Sequence, residues 1–441
     1  MNTPIYNFIK KYDKDNILRC HMPGHKGRCN VREAEMFCRF DITEISGADS
    51  LFEAEGIIAE SEKNMASLYN TAATIYSAGG STLCIQGMLG AMRDYGRRII
   101  AVRNVHRAFL NSAALLGLKV EWVLPNYKNG ILSGEIPLEI IEKKLKRGRK
   151  ACVYVTSPDY TGRMADIASL SEICHKYGAL LIVDNAHGAH LHFLPKSLHP
   201  IALGADMCCD SAHKMLPALT GAAMLHMADR RFADSLRRNM SLFGSTSPSY
   251  LIMLSLDLCL DYLDKEIRRD IAENLRNAED FCRQFENRLE FIDGDPFHIT
   301  INAAESGFNG NELANMLREK GVECEYSDDG TIILLMSPMN RAGDYSRLAA
   351  ALEFAVSRAS RREREPQAVL KNIPRKAMDI REAVFSPCEE IAVELAEGRI
   401  CAAVKVPCPP AVPIAVSGEI IDGDCIEIFK SYGIKTVLVC K

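Results

Sequence analysis

Through the middle of the chain, near-continuous apolar runs of strand length alternate with segments whose apolar residues recur at helical spacing. The runs are RIIAVR (98–103), KVEWVL (119–124), ACVYVT (151–156), ALLIVD (179–184), ADMCCD (205–210) and GAAMLHM (221–227). Runs that lack polar alternation fit strands buried on both faces, as in a parallel sheet covered by helices. Between two of them, DIASLSEICHKYG (166–178) opens on an N-cap residue, Asp166, and stops at Gly178, the two signals that bound an amphipathic helix. Alternation of this kind predicts an α/β domain with a mostly parallel sheet flanked by helices.

After residue 250 the texture changes. YLIMLSLDLCLDYLDKE predicts one long amphipathic helix leading into the charged helical stretch NLRNAEDFCRQFENRLE, then short strands (FHITINAA, TIILLMS) around a helix over 309–320. This pattern predicts a second, smaller α+β domain. SRASRREREP (357–366) mixes both charge signs and ends in proline, as a solvated helix end and linker does. The proline-rich VKVPCPPAVPIAVSGEII (404–421) reads as extended chain. The expected division is 1–35 as an N-terminal segment, 36–275 as the large domain, 276–365 as the small one and 366–441 as a C-terminal domain.

Composition narrows the classes. The chain has 441 residues, more than one compact core takes, and 47% are apolar, 25% charged, with a formal net charge of −4. Nothing here draws the chain to nucleic acid or to an anionic membrane. The start, MNTPIYNFIKKYDKDN, has no apolar core of a signal peptide and no run of about 18 apolar residues follows, so a cytoplasmic protein is expected. Its 16 cysteines are scattered, several lie within apolar runs (Cys152, Cys208, Cys209), and no C-x-x-C pair occurs, which reads as reduced structural thiols.

Three stretches carry chemistry. In SAGGSTLCIQGML (77–89), Gly79 and Gly80 let the backbone turn closely, and Ser81 and Thr82 bring hydroxyls and amides to a helix start, where a phosphate sits well; alone, the stretch reads more simply as a plain N-cap turn. In VDNAHGAH (183–190), Asp184 emerges at the carboxyl end of a buried strand, where ligands of open α/β sheets bind. The histidines 187, 190 and 192 raise a metal site, but no cysteine or carboxylate completes a ligand spacing, and no metal is expected. In DSAHKMLPALTG (210–221), Ser211, His213 and Lys214 follow the next strand directly, and Pro217 is expected to forbid a helix through them. A phosphate nest, a carboxylate and a lysine on successive strand ends are what pyridoxal 5'-phosphate requires: the carboxylate keeps the pyridine nitrogen protonated and the lysine forms the Schiff base. Ser211 and His213 flank the lysine, where they reach phosphate and imine.

Eight segments in one order, HMPGHKG (21–27), GGST (79–82), RNVHRA (103–108), SPDYTG (157–162), VDNAHGAH, SAHKMLPALTG, STSPSYLIMLSLD (245–257) and VPCPPAVPIAVSGEII (406–421), resemble the ornithine/lysine/arginine decarboxylase family of fold-type-I (aspartate-aminotransferase-like) pyridoxal-phosphate enzymes, nearest its shorter, biosynthetic arginine branch. The resemblance implies that Lys214 makes the covalent bond to the cofactor, Asp184 pairs with the pyridine nitrogen and His106 stacks on the ring. Gly80, Ser81, Thr82, His187, Ser211 and His213 complete the cofactor contacts, and Lys214, His213 and Asp184 form the catalytic set. It further implies a homodimer in which Thr246–Ser249 reach the neighbouring subunit's cofactor. The implied reaction is decarboxylation of a basic amino acid, arginine to agmatine first, feeding polyamine synthesis. Lysine or ornithine as substrate, another fold-type-I reaction such as transamination or aldol cleavage, and a non-catalytic regulatory homologue are the alternatives.

Some positions depart from the family. Its tail motif reads Pro-Tyr-Pro-Pro-Gly, where this chain has Cys408 and Ala411; the acidic pair after Thr-Glu is reduced to Asp49 followed by Ser50; and Ala403 replaces an acid after Gly-Arg-Ile. A dibasic substrate requires acids at the far end of its pocket, and Glu44 and Asp49 are the candidates, with a role as loop or helix-cap carboxylates standing equally beside that one.

Overall fold

A computed structural model of the protein describes residues 1–128, 130–148, 150–363, 367–403 and 412–441. The strands that concern the site are β1 (Ala73–Ser77), β2 (Arg98–Val102), β3 (Val120–Val123), β4 (Ala151–Thr156), β5 (Leu180–Asp184), β6 (Met207–Asp210) and β7 (Ala223–Met227). The helices are α1 (Ile57–Tyr69), α2 (Gly80–Asp94), α3 (Arg107–Leu116), α4 (Ile167–Lys176), α5 (Ala212–Met215), α6 (Ala233–Ser241) and α7 (Tyr250–Lys265). The chain divides into two compact units: Met1–Tyr95 with Ile182–Ile271, and Gly96–Leu181 with Ala272–Lys441.

In the first unit β7 pairs antiparallel with β1, from Ala73↔Met227 to Ser77↔Ala223, and antiparallel with β6, from Met207↔Met227 to Asp210↔Met224. β6 runs parallel to β5, with Asp184 opposite Cys209. The carboxyl ends of β1, β5 and β6 therefore share one edge with the start of β7. Every residue of β5, β6 and β7 is buried, which is why the sequence there is apolar without alternation. GAAMLHM reads in the sequence like its parallel neighbours, yet β7 reverses. Its link from β6, residues 211–222, holds only the single helical turn α5, whereas a parallel return is usually carried by a full crossover helix packed on the sheet.

That turn also corrects the expectation for Pro217. Helix does form through His213 and Lys214, and it ends before the proline, with Leu216 extended at φ −124 and ψ 160, as a residue preceding proline is constrained to be. On the other side of the edge, α2 buries Leu83, Ile85, Met88, Leu89 and Met92, side chains worth roughly 1.5–3 kcal/mol each when fully removed from water. Gly90 lets α6 pack tightly on this helix, since a Cβ there would lie 2.3 Å from Asn239 Oδ1.

In the second unit β2 runs parallel to both β3 and β4. Asp166 caps α4 as the sequence predicts, its Oδ1 accepting the Ser169 N–H at 3.0 Å. FHITINAA and TIILLMS form the antiparallel strands His298–Asn302 and Thr331–Leu335, accompanied by helices Gly310–Glu319 and Ala342–Arg358. The chain closes with an antiparallel three-stranded sheet, Cys388–Ala392, Thr436–Cys440 and Cys401–Ala403. This C-terminal part is tied to the end of β2 by an ion pair. Arg103, fully buried, donates from Nη1 and Nη2 to Glu419 at 2.7 and 2.6 Å. No helix among the described residues is long and apolar enough to cross a membrane.

Candidate active site

The shared strand edge of the first unit gathers the chemistry. β1 ends at Ser77, whose Oγ accepts the Gly79 N–H at 3.2 Å and donates to the Gly80 carbonyl at 2.9 Å, tightening the turn into α2. Gly80 has φ +67, a conformation glycine adopts without strain, and a Cβ there would meet no heavy atom within 4 Å. The Gly80 N–H donates to the Gly221 carbonyl at 2.8 Å, and no side chain among the described residues caps the start of α2, a helix of 15 residues, so the N–H groups that follow and the positive end of its dipole are available to an anion. Ser211, just past β6, brings a second hydroxyl, with its Oγ donating to Ser81 Oγ at 3.0 Å. Thr82 is exposed beside them.

Asp184 closes β5 with 2% of its surface exposed, and its Oδ1 accepts the Ala186 N–H at 3.3 Å. Two backbone bonds knit the turns after β5 and β6: Asn185 N–H to the Cys209 carbonyl at 3.0 Å, and Ser211 N–H to the Ala186 carbonyl at 3.3 Å. Lys214, on α5, is half-buried with its Nζ 2.8 Å from His187 Nε2. An ammonium only donates, so Nε2 accepts and the His187 ring is neutral. His213 Nδ1 lies 3.0 Å from the Ala222 carbonyl, which only accepts, so that nitrogen carries the ring proton. Burial, and then the neighbouring Lys214 charge, lower the His213 pKa. At neutral pH the ring is uncharged and Nε2 holds a lone pair.

A phosphate takes N–H and hydroxyl donors, a protonated pyridine nitrogen takes a carboxylate, and an aldehyde takes an amine. One edge of one unit supplies all three, together with open space over Gly80, so the residues fit pyridoxal 5'-phosphate. His106, the expected stacking residue, belongs to the second unit, where it caps α3 with Nδ1 accepting the Ala108 N–H at 3.2 Å.

Residues 3–301 match the family model described as Orn/Lys/Arg decarboxylase, major domain, and residues 361–432 match its C-terminal domain. The chain belongs to this family. The decarboxylase is 30% identical to a protein named arginine decarboxylase from Bacillus subtilis (strain 168), over 97% of its own length and 93% of the relative's. It is likewise 30% identical to one of the same name from Halalkalibacterium halodurans, over 95% and 91%. Its fold is that of lysine decarboxylase A from Pseudomonas aeruginosa, with a TM-score of 0.81 at 18% identity over 99% of this chain and 80% of that one. The chain is thus a fold-type-I, pyridoxal-phosphate-dependent carboxy-lyase of basic amino acids.

Two residues of the decarboxylase's edge escaped the sequence reading. Ser77 carries no sequence signal for its two bonds into the turn, and Asn185, next to Asp184, is fully buried with its Nδ2 donating to Asp210 Oδ1 at 2.7 Å. Of the two readings open for Asp49, the structure favours the helix cap. Asp49 is not available to a substrate guanidinium, because its buried carboxylate accepts five backbone N–H groups: those of Ser50 and Glu55 on Oδ1, and of Gly56, Ile58 and Ala59 on Oδ2, at 2.8 to 3.3 Å. It closes the loop before α1 and caps that helix, whose N-cap Gly56 has no side chain to do so. Glu44 is exposed and accepts the Thr43 hydroxyl at 2.5 Å. Among the other departures, Ser50 donates to Asp49, Ala403 ends the strand begun at Cys401, and Cys408 and Ala411 lie outside the described residues.

Proposed function

We propose that the substrate is arginine and the product agmatine, supplied to polyamine synthesis in the cytoplasm. The observation that carries the choice of substrate is the likeness, across 97% of the chain, to a relative whose name specifies arginine. In this reading Lys214 binds the cofactor aldehyde, Asp184 holds a proton at the pyridine nitrogen, and the start of α2 with Gly80, Ser81, Thr82 and Ser211 takes the phosphate. His106 stacks on the ring, and His187 and His213 line the approach to Lys214.

When bound, the cofactor supplies an electron sink for the pair that the departing carboxylate leaves behind. The chain's task is to hold that carboxylate out of the ring plane and to return a proton to Cα. Lys214 and His213 are the candidates for the proton. His213 is neutral with its only ring proton committed to the Ala222 carbonyl, which favours Lys214 as the donor and His213 Nε2 as acceptor.

The working assembly is a homodimer with active sites at the subunit interface, supported by the exposure of Thr246 and Ser247 in the family's subunit-bridging segment. The division 1–35, 36–275, 276–365 and 366–441 is retained as the domain assignment, supported by the change of element texture after α7. Incubation with arginine, lysine and ornithine, with the amines identified by mass spectrometry, tests the substrate. Agmatine formed with the highest kcat/KM is expected; cadaverine or putrescine formed with a higher one overturns arginine while leaving the decarboxylase intact.

A further inference from the structure

Directly beneath the turns that carry Asp184 and Lys214, the first unit buries a cluster that the decarboxylase reaction does not use. His199, Cys208, Asp210 and His226 are all fully buried. His199 Nε2 lies 3.2 Å from Asp210 Oδ2 and 3.6 Å from Cys208 Sγ, and His226 Nε2 lies 3.5 Å from the same Asp210 Oδ2. Ligand atoms of His199, Cys208 and Asp210 sit within 4.8 Å of one another.

These separations have a simple geometric reading. Around a tetrahedral zinc ion, with bonds of about 2.0 Å to nitrogen and oxygen and about 2.3 Å to sulfur, adjacent ligands stand about 3.3 Å (N to O) and about 3.5 Å (S to N) apart. Three edges of that tetrahedron are already in place. The remaining bonds aim the donor atoms inward. Thr74 Oγ1 engages His226 Nδ1 at 2.8 Å, turning the other ring nitrogen toward Asp210, and Tyr69 stacks on the same ring at 4.4 Å. Asn185 Nδ2 donates to Asp210 Oδ1 at 2.7 Å, an oxygen that the Cys208 Sγ also approaches at 3.9 Å, while Oδ2 faces the two imidazoles. Outer-shell partners of this sort fix ligating imidazoles and carboxylates in known metal sites.

A second observation points to an occupant. His226 Nε2 is buried and has no hydrogen-bond partner among the described residues, although it is aimed at a carboxylate oxygen. Buried polar atoms are left unsatisfied only rarely, because each forfeits its hydration.

We propose that His199, Cys208, Asp210 and His226 form a structural site for a divalent zinc-like cation. Binding is balanced by charge: the Cys208 thiol loses its proton to solvent, and one thiolate, one carboxylate and two neutral imidazoles hold the dication in a net neutral site. All four positions come from protein and none is left open to a substrate, which marks the ion as structural rather than catalytic. It braces the first residue of the turn that ends in Lys214 and, through Asn185, the turn that follows Asp184. The sequence hides the site, because its ligands stand at positions 199, 208, 210 and 226, a spacing that matches no short motif.

The test is to express the whole protein in zinc- or cobalt-supplemented minimal medium, so that metal is present as the chain folds around it. Metal content, visible absorption and X-ray absorption at the metal edge are then measured. One ion per chain is expected, with cobalt giving tetrahedral ligand-field bands, a thiolate charge-transfer band and a first shell of one sulfur and three nitrogen or oxygen atoms. Cys208→Ser abolishes the charge-transfer band, and His226→Ala loses the ion. Metal well below one ion per chain in both media overturns the proposal, as does a charge-transfer band that survives in a folded Cys208→Ser protein. Should both variants fail to fold, the wild-type first shell still decides: no sulfur, or more than one, refutes the site.

Discussion

Replacing Asp49 with alanine separates a substrate contact from a folding contact. The Asp49 carboxylate is 8% exposed and accepts five backbone N–H groups. A hydrogen bond to a charged group contributes about 1.5–3 kcal/mol net, so a straight sum would exceed 7 kcal/mol. Glu55 and Gly56, however, are exposed, and in the variant water takes over their N–H groups. The N–H groups of Ser50, Ile58 and Ala59 remain, less accessible, with the lost cap of α1 among them, and the loss comes to about 3–5 kcal/mol. For a folding unit of this size that corresponds to a fall in Tm of about 10 °C. Thermal melting of Asp49→Ala followed by circular dichroism, with limited proteolysis to locate new cleavage at residues 50–59, reads the effect. The protein that stays folded at low temperature keeps the wild-type KM for arginine. A Tm within about 2 °C of wild type, which by the same conversion leaves at most about 1 kcal/mol for those bonds, together with a raised KM, would return Asp49 to the substrate pocket and refute the capping role.

Three further outcomes are expected. Asp184→Asn retains cofactor, seen in its visible absorption, but loses on the order of a hundredfold or more in turnover, since an amide does not hold the pyridine proton by charge; turnover near wild type contradicts Asp184 as the pyridine partner. Glu419→Gln strands the buried Arg103 guanidinium and destabilises by about 3–5 kcal/mol, whereas the double replacement Arg103→Met with Glu419→Leu recovers much of that loss; a double variant as unstable as the single one argues against the ion pair as the cause. Burial raises the Asp257 carboxyl to about 6, while the unfolded chain titrates near 3.9. The native state therefore binds a proton that the unfolded state lacks between those values, so wild type gains stability relative to Asp257→Asn as pH falls from about 6 toward 4, and a Tm difference between the two that is flat with pH rejects this.

Legibility in the sequence followed burial and chain-locality. The six apolar runs became strands because a strand covered on both faces leaves no room for polar alternation. β1, ATIYS, was not recognised: Thr74 and Ser77 make it look half-polar, yet both are buried and satisfied, Thr74 by His226 and Ser77 by the turn into α2. Asp184, Ser81 and Lys214 stood out because each lies at an element end, where a functional side chain and its structural signal coincide. Asp49 stayed undecided between substrate and cap because its partners are backbone N–H groups, which no residue type advertises. The direction of β7 was hidden for a related reason, since a run buried on both faces reads alike whichever way it points, and the link from β6 differs from a parallel crossover only in lacking a full helix.

The first unit is built from two stretches of chain separated by residues 96–181, and this sets a timetable for the protein in the cell. Residues 80–82 are made long before Lys214; at about 5–20 residues per second the wait is roughly 7 to 26 seconds. Until residue 227 emerges, β1 has no neighbour on β7, and its five backbone positions are an open edge that invites wrong pairing. A nascent chain released at residue 181 holds the phosphate turn without the carboxylate or the amine. The cofactor therefore finds the phosphate turn, the carboxylate and the amine together only once Lys214, near the middle of the 441-residue chain, has been made.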